Sequence, residues 1–332
     1  MKILIIRFSS IGDLTQSLSI PSLIYRYHPE AEIHFVTRLD LSALLSNHPH
    51  IHQKFYLDRK RGFEGLFELA KRLRKEKYTH IYDAHNNLRS FLIRFLVQAP
   101  QKLLKPMMRF KRFMLLRFHI NLFEKPFSGQ RDLLKPLEKW GVPFSLPPAP
   151  QLFLGMDERR KIISLLEKNK VQDFVVLAPS AAYFLKRWPL EHWHALIKKN
   201  PHLSFVILAG PEDTFTEELN VYPQVLNLTG QTTLLESAAV VEKALAVISN
   251  DTGLLHFAEQ LGKPTIALMG PAPFGFPSRP STKILERELK CRPCSKHGQG
   301  PCVNPNYHEC LKSISPTEVD AELQKILTRL AP

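Results

Sequence analysis

The chain has 332 residues, of which 44% are hydrophobic, so it is long enough for two folded domains and too apolar for a disordered tail. Its four cysteines are too few for a disulfide scaffold, and no window reaches the roughly 18 uninterrupted apolar residues that a membrane-spanning helix needs. The formal charge of +14 favours an anionic partner, and we expect a soluble, cytoplasmic protein.

Short apolar runs alternate with longer amphipathic stretches in the first half of the chain. Residues 3–8, 33–37 and 80–83 are predicted strands, with helical patterns between the first two and before the third. This alternation is typical of a parallel sheet covered by helices. It stops at residues 141–150, where four prolines predict a linker between an N-terminal domain (residues 1–150) and a C-terminal domain (residues 151–332).

The first motif that suggests chemistry joins the first strand to a helix and reads Ser9-Ser10-Ile11-Gly12-Asp13. Gly12 permits a sharp turn, and the backbone N–H groups at the start of a helix beginning near Asp13 could face a ligand. The motif is not a dinucleotide fingerprint, because no further glycine occurs before Gly62. Asp13 is either a helix N-cap, which is the commoner role, or a general base that takes a proton from an acceptor hydroxyl.

The positive charge lies in the first half of the chain. Residues 1–150 contain 25 Lys/Arg and 12 Asp/Glu, whereas residues 151–332 contain 20 and 19. Residues 84–123 contain basic residues and no acidic one, interleaved with Phe, Met and Leu. This pattern fits a segment lying on an anionic membrane surface, and equally an amphipathic helix packed on its own domain. Nucleic-acid binding is not favoured, because no helix-turn-helix, zinc-finger or RNA-binding signature accompanies the charge.

The second half repeats the alternation. A helical pattern at residues 157–169 precedes predicted strands at residues 174–178, 204–209, 225–228, 245–249 and 265–269. The predicted fold class is therefore α/β, with two Rossmann-like, doubly wound domains. Such domains bind ligands at the carboxyl ends of their strands, so we expect the two domains to face a central cleft.

Three motifs follow strands of the second half. In residues 178–189, small residues would let backbone amides approach a phosphate, and Lys186 would offset the charge of a diphosphate leaving group. The alternative for Lys186 is a solvated basic turn. Glu212 is a candidate ligand of a ribose hydroxyl, or only a helix start. Asp251, Thr252 and Gly253 open a helix whose first amides can bind a pyrophosphate, or which is simply a capped helix.

His256 and the cysteines leave alternatives open. His256, one turn into that helix, is either a buried packing histidine or a phosphate contact. The cysteines have zinc-like spacing, since four thiolates can close a tetrahedral structural site. The later pair lacks a second C-x-x-C, so reduced thiols or a disulfide are the alternatives to zinc. The four candidate ligands are Cys291, Cys294, Cys302 and Cys310.

The chain resembles glycosyltransferase family 9, the lipopolysaccharide heptosyltransferases. Four motifs carry the resemblance, in the order of the family and over almost the whole chain: Ser10–Asp13, Lys186–Pro189, Asn250–His256 and Gly262–Pro271. The resemblance implies a GT-B fold, with an N-terminal acceptor domain and a C-terminal domain that binds ADP-heptose. It leaves open whether the last helix packs back on the N-terminal domain. It also implies inverting transfer of heptose to the lipid A–Kdo inner core, at the cytoplasmic face of the inner membrane.

The resemblance also implies roles for individual residues. It implies that Asp13 and Lys186 are catalytic. The residues implied to bind the donor are Ser180, Lys186, Glu212, Asp251, Thr252, Gly253 and His256. Those implied to bind the acceptor are Ser10, Gly12, Asp83, His85, Asn86 and Arg89. We expect no cofactor in catalysis, because no Asp-x-Asp motif is available to hold a divalent cation.

One departure from the family pattern bears on the donor. Bulky side chains at Tyr183, Phe184 and Leu185 stand where smaller or polar residues are expected, so the sequence also fits a family-9 transferase that uses another nucleotide-sugar. A third alternative is a non-catalytic basic protein that binds nucleic acid or membrane.

Overall fold

The structure is a computed structural model that describes residues 1–273 and 275–330, and these group into two compact units. The first unit comprises Met1–Met108 and Gly129–Phe153, and the second comprises Arg109–Ser128 and the chain from Leu154 onward. The sequence predicts a single boundary after residue 150. The contacts of the chain instead change at residue 153, and they group the basic stretch Arg109–Ser128 with the second unit.

The first unit is built on a parallel sheet of five strands in the order β3-β2-β1-β4-β5. The order reverses at β1, which is the arrangement of a doubly wound domain. The central strand β1 is apolar and buried on both faces because helices cover both sides of the sheet. The strands are β1 (Lys2–Ile6), β2 (Glu32–Arg38), β3 (Gln53–Leu57), β4 (His80–Asp83) and β5 (Gln101–Leu104).

Helices connect these strands. Since α3 carries the chain from β3 to β4 and α4 carries it from β4 to β5, both start at the carboxyl edge of the sheet, where α1 also starts after β1. The helices up to the second unit are α1 (Ile11–Ser17), α2 (Ser19–Tyr27), α3 (Gly62–Lys75), α4 (Leu88–Val97), α5 (Arg109–Phe118) and α6 (Gly129–Leu134), of which α5 groups with the second unit.

The second unit contains a six-stranded parallel sheet in the order β11-β10-β9-β6-β7-β8. Its strands are β6 (Phe174–Ala178), β7 (Ser204–Ile207), β8 (Val225–Asn227), β9 (Ala246–Asn250), β10 (Thr265–Leu268) and β11 (Thr282–Leu285). Its remaining helices are α7 (Met156–Lys168), α8 (Leu190–Lys199), α9 (Leu234–Lys243), α10 (Gly253–Leu261), α11 (Glu309–Lys312) and α12 (Pro316–Leu330).

The core of the second unit includes its last helix. Val319 and Leu323 of α12 are fully buried in the same core as Trp193 and Leu196 of α8. The last helix therefore packs within the second unit. In the part of the chain that the structure describes, no helix is both long and apolar enough to cross a bilayer.

The predicted α/β fold with two doubly wound domains is confirmed, and so are the central strands. The prediction missed β3, β5 and β11, all of which are edge strands. An edge strand is covered less completely than a central one, so it can carry charged and polar residues, as β5 does in Gln101-Lys102-Leu103-Leu104. Such a strand lacks the continuous apolar run that marks a central parallel strand.

Candidate active site

Asp13 lies in the first turn of α1, immediately after the central strand of the first sheet. The helix begins at Ile11, so the N-cap residue is Ser10, and Asp13 as the N-cap is wrong by three positions. The Asp13 Oδ2 accepts hydrogen bonds from the Ser10 backbone N–H (3.3 Å) and the Ser10 hydroxyl (3.1 Å). The Asp13 side chain remains 40% exposed, while Gly12 beside it is buried. Asp13 therefore closes the helix start and still presents its carboxylate.

The charge of Asp13 is set by two basic residues of the same unit. Arg7 is buried, with its Nη2 2.6 Å from the Asp13 Oδ2 and its Nη1 donating to the Ala84 carbonyl at 2.6 Å. Burial raises the pKa of the Asp13 carboxyl, but Arg7, Lys105 and the Ser10 hydrogen bonds outweigh it and hold that pKa well below its usual range. Asp13 is therefore a carboxylate at neutral pH, as a base must be before it takes up a proton.

Asp83 shapes the loop after β4. Its side chain is fully buried, and its Oδ1 accepts hydrogen bonds from the backbone N–H groups of His85 (3.1 Å) and Asn86 (2.7 Å). The Asn86 amide in turn donates to the Lys105 carbonyl at 2.8 Å. Asp83 thus orders this loop, and its buried carboxyl is not presented to a ligand.

His85 brings the same loop to the Asp13 turn. Its ring stands edge-on to Phe8 with 5.6 Å between centroids. Burial and then the neighbouring Arg7 lower the pKa of His85 to about 4, so the imidazole is neutral at neutral pH. Arg89 is exposed in the first turn of α4. Of the predicted acceptor-side residues, Ser10, Gly12 and His85 therefore lie around Asp13, and Arg89 offers a charge to solvent.

In the second unit, two sequence motifs meet at the ends of β6 and β9. The Lys186 Nζ lies 2.6 Å from the Asp251 Oδ2, and both side chains are largely buried. The backbone N–H of Trp188 donates to the Asn250 Oδ1 at 3.0 Å, and the side-chain amide of Asn250 donates to the Pro179 carbonyl at 2.7 Å. Asn250 thus joins the loop after β6 to the end of β9 and brings the two motifs together.

Lys186 is also packed from the other side. It is the last residue of a short 3-10 helix, Phe184–Lys186, in which Phe184 is exposed and Leu185 is buried. Gly298, at φ +78°, lies so close that a Cβ there would come within 2.6 Å of the Lys186 Cγ. The Gln299 amide donates to the Tyr183 hydroxyl at 2.8 Å. The loop at residues 298–299 therefore restricts the lysine stem to its path towards Asp251.

Asp213 is an organising residue that the sequence interpretation missed, since it selected the neighbouring Glu212. The Asp213 carboxylate accepts hydrogen bonds from the Ser180 hydroxyl (2.5 Å), the Gly210 N–H (3.1 Å) and the Arg187 Nη2 (3.0 Å). Glu212 is exposed. Both residues follow β7 within one motif, and the sequence carries no signal that separates the buried carboxylate from the exposed one.

Helix α10 starts within the predicted motif of residues 251–253. Gly253 is the first helical residue and Thr252 is the N-cap, in extended conformation. Both are partly exposed, so the first amides of the helix are accessible. His256 is buried, and its Nδ1 lies 3.1 Å from the Glu259 Oε2. Of the two predicted roles for His256, this environment is that of a packing histidine.

The four cysteines line one small cavity of about 10 Å³, together with Leu185 and His308. All four are free thiols. Burial raises the pKa of the Cys310 thiol to about 12, and burial with the nearby Cys291 and Cys302 raises that of Cys294. Within the described residues, three or more metal-ligating atoms lie within 4.8 Å of one another only at Glu32, His34 and Glu76. The cysteines are thus neighbours, but they do not form a closed tetrahedral site in this conformation.

The group at Glu32, His34 and Glu76 is an ion-pair network. The Lys2 Nζ lies 3.1 Å from a Glu32 oxygen and 2.7 Å from a Glu76 oxygen, and the His34 Nε2 lies 2.9 Å from Glu32. The Lys2 ammonium already supplies the positive charge that a metal ion would bring to these two carboxylates. This group is at the amino ends of β1 and β2, at the opposite edge of the sheet from Asp13.

Comparisons with known proteins agree on one family. The model of glycosyltransferase family 9 (heptosyltransferase) matches residues 66–308. The chain is 26% identical to lipopolysaccharide heptosyltransferase 2 of Salmonella typhimurium over 99% of both proteins. A family 9 glycosyl transferase from Veillonella parvula has a similar structure, with a TM-score of 0.81, 19% identity and coverage of 99% of this chain and 97% of that one. The E. coli heptosyltransferase WaaC with ADP-2-deoxy-2-fluoro heptose gives a TM-score of 0.72 at 16% identity, over 98% and 99% of the two chains.

Proposed function

The chain belongs to glycosyltransferase family 9 (heptosyltransferase) and has its GT-B fold, and from this premise we propose that it moves a heptose from ADP-heptose to the lipid A–Kdo inner core of lipopolysaccharide, with inversion at the anomeric carbon. The observation that carries the proposal is the placement of Lys186 and Asp251 at the start of α10. A lysine beside accessible helix amides is a site suited to a diphosphate.

The donor would bind to the second unit. Amides of Thr252 and Gly253 and the Lys186 ammonium would hold the diphosphate, so that charge developing on departing ADP is met by groups already in place. Asp251 keeps the lysine oriented before the donor arrives. The exposed Glu212 is available for the ribose. Its neighbour Asp213 accepts the hydrogen bond of the Ser180 hydroxyl. A relative solved with an ADP-linked heptose analogue supports ADP-heptose as the donor.

The first unit would supply the base. As the acceptor oxygen forms its bond to the anomeric carbon, the Asp13 carboxylate takes the hydroxyl proton, the bond from that carbon to the phosphate oxygen breaks, and ADP leaves with the electron pair. Attack opposite the leaving group inverts the configuration. The excess of 25 basic over 12 acidic residues in residues 1–150 suits an acceptor rich in phosphate and carboxylate. The inner core of lipopolysaccharide has this chemistry, and the curated relative acts on lipopolysaccharide by name.

Two further assignments belong to the proposal. The enzyme works in the cytoplasm at the inner face of the inner membrane, where its lipid acceptor is anchored, and it needs no metal for transfer. Of the alternatives for Cys291, Cys294, Cys302 and Cys310, the proposal takes reduced thiols, which agree with the four free cysteines of the structure; a structural zinc ion would require the sulfur atoms to move closer together. Measuring zinc per chain in protein purified without chelator, with Cys294→Ser as the control, tests for this ion, and absence of zinc from both proteins rules it out.

The experiment that tests the function combines binding with transfer. A thermal-shift comparison of ADP-, UDP-, GDP- and CDP-sugars should show stabilisation by ADP-heptose above the others, because a ligand bound only to the folded state raises its stability. Incubation with lipid A–Kdo should then yield an acceptor one heptose heavier. Stabilisation by another nucleotide-sugar alone would favour the alternative donor. Tight, salt-sensitive binding of duplex DNA with no response to any nucleotide-sugar would favour a non-catalytic basic protein.

A further inference from the structure

We propose that the exposed side of helices α3 and α4 docks on an anionic lipid bilayer. We call this surface the α3–α4 face and define it by Phe63, Phe67, Leu88, Phe91 and Phe95. The proposal rests on the proposed function only in its choice of a membrane-anchored acceptor. The α3–α4 face differs from the basic stretch at residues 84–123 that the sequence analysis singled out, because α3 lies outside that stretch.

The α3–α4 face exposes large apolar side chains that the first unit does not cover. All five are between 47% and 69% exposed. Phe63 and Phe67 are four residues apart on α3, and Leu88, Phe91 and Phe95 are three and four apart on α4, so each set lies on one side of its helix. Singly exposed apolar residues are common in soluble proteins, but a contiguous group of this kind marks a contact surface.

The opposite sides of the two helices are buried together. Leu66 and Leu69 of α3 pack in the same core as Ile93 and Val97 of α4. The two helices therefore lie side by side on one face of the sheet, and their outward sides form one surface. Within it, the rings of Phe91 and Phe95 stack with 6.2 Å between centroids, and the Arg94 guanidinium lies 5.5 Å above Phe91. The two rings therefore contact each other while they remain exposed to solvent.

Exposed basic side chains lie on the same helices as this face and on the turn before α3. They are Arg59, Lys60, Lys71, Arg74 and Arg89. The acidic residues on the exposed part of α3, Glu64 and Glu68, both lie near Arg61, at 3.8 Å and 2.6 Å. Aromatic residues bordered by cations are the composition that suits the boundary between anionic headgroups and acyl chains.

The location of the face also agrees with a bilayer. α3 and α4 start at the carboxyl edge of the first sheet, and so does α1, which carries Asp13. Phe63 and Leu88 are in the first turns of their helices and are therefore nearest that edge. A bilayer against the α3–α4 face would hold a membrane-anchored acceptor on the side of the unit where its proposed base lies. A neutral or basic soluble protein would account for the apolar side chains but not for the basic border.

Sedimentation with lipid vesicles tests the proposal without any enzymatic step. Wild-type protein should sediment with vesicles of phosphatidylethanolamine and phosphatidylglycerol and bind phosphatidylcholine vesicles more weakly. Replacing Phe63 and Phe67 with Gln, or Phe91 and Phe95 with Gln, should each lower the partition coefficient by about tenfold or more. Replacing Lys60 and Lys71 with Glu should lower it too, most at low salt. The matched control removes two exposed apolar side chains of the second unit, Met156→Gln and Val221→Gln.

The outcomes separate this proposal from the proposed function. Equal sedimentation of the wild type, both phenylalanine variants and the control would overturn the docking surface. So would a change in molar mass by light scattering in the phenylalanine variants with unchanged vesicle binding, because the face would then join protein chains. Transfer to a water-soluble, deacylated acceptor should be retained by the folded variants. If the wild type binds vesicles through this face but transfers no heptose, the function fails and the docking surface stands.

Discussion

The guanidinium of Arg7 lies 2.6 Å from the carboxylate of Asp13 at the carboxyl edge of the first sheet. This ion pair acts on the proposed catalytic base in two opposing ways. It keeps Asp13 ionised and fixed in direction, and it lowers the affinity of the carboxylate for a proton. A base of this kind accepts the proton late, when the acceptor oxygen has already formed much of its bond to the sugar and has become acidic.

Asp13→Asn should reduce kcat/KM by roughly 10²–10⁴-fold, the usual contribution of general-base catalysis. The carbonyl oxygen of the substituted amide can still accept the hydrogen bonds from Ser10, but the buried Arg7 loses its ion-pair partner, so the melting temperature should fall while the protein stays folded. Steady-state transfer and thermal unfolding measure the two effects. Asp157→Asn, at an exposed position of α7, serves as the control and should match the wild type. Near-full turnover in Asp13→Asn would mean that Asp13 is not the base.

Arg7→Met should move the acid limb of the kcat/KM profile to higher pH. In the folded wild type the pKa of Asp13 lies below its usual range. The ion pair with Arg7 therefore stabilises the fold at pH values above the pKa of an unfolded Asp, about 3.9, and this stabilisation is lost as the pH falls through the lower pKa of the folded state. Without Arg7 the largest of the contributions that lower the pKa of Asp13 is lost, so this pKa rises. A pH series of initial rates measures the limb, and Arg38→Met, which removes the partner of Asp40, is the control. Superimposable profiles would show that Arg7 does not control the Asp13 charge.

Lys186→Met should weaken ADP binding by about tenfold or more and lower kcat further, because the ammonium would assist both the bound diphosphate and the departing one. The ADP-induced thermal shift and single-turnover transfer separate these two effects. Lys186→Arg should restore part of the binding, since it keeps the charge facing Asp251. Lys168→Met, at the exposed end of α7, removes a lysine without touching the site. If Lys186→Met binds ADP as the wild type does, the lysine is only a structural partner of Asp251.

Much of this architecture is predictable from the sequence because buried central strands and strand-to-helix loops have local signals. The strands β4 and β6 begin and end at the predicted residues, and the apolar run of β6 is buried throughout. The loops after β1, β6 and β9 are identifiable because glycine, small residues and capping residues follow each strand. The long-range contacts within each unit are not predictable in this way. Nothing local shows that Arg7 reaches Asp13 and Ala84, or that Lys186 pairs with Asp251.

The two carboxylates after β7 should respond differently to the loss of charge. Asp213→Asn weakens three hydrogen bonds at once, from Ser180, Gly210 and Arg187, and should lower the free energy of unfolding by about 1–3 kcal/mol. Glu212→Gln changes an exposed side chain, so its unfolding should match the wild type while ADP-heptose binds more weakly, because the carboxylate would lose its hydrogen bonds to ribose. Urea unfolding and donor titration of both variants give the comparison. If Glu212→Gln binds the donor normally and Asp213→Asn alone loses binding while remaining folded, the ribose contact belongs to Asp213.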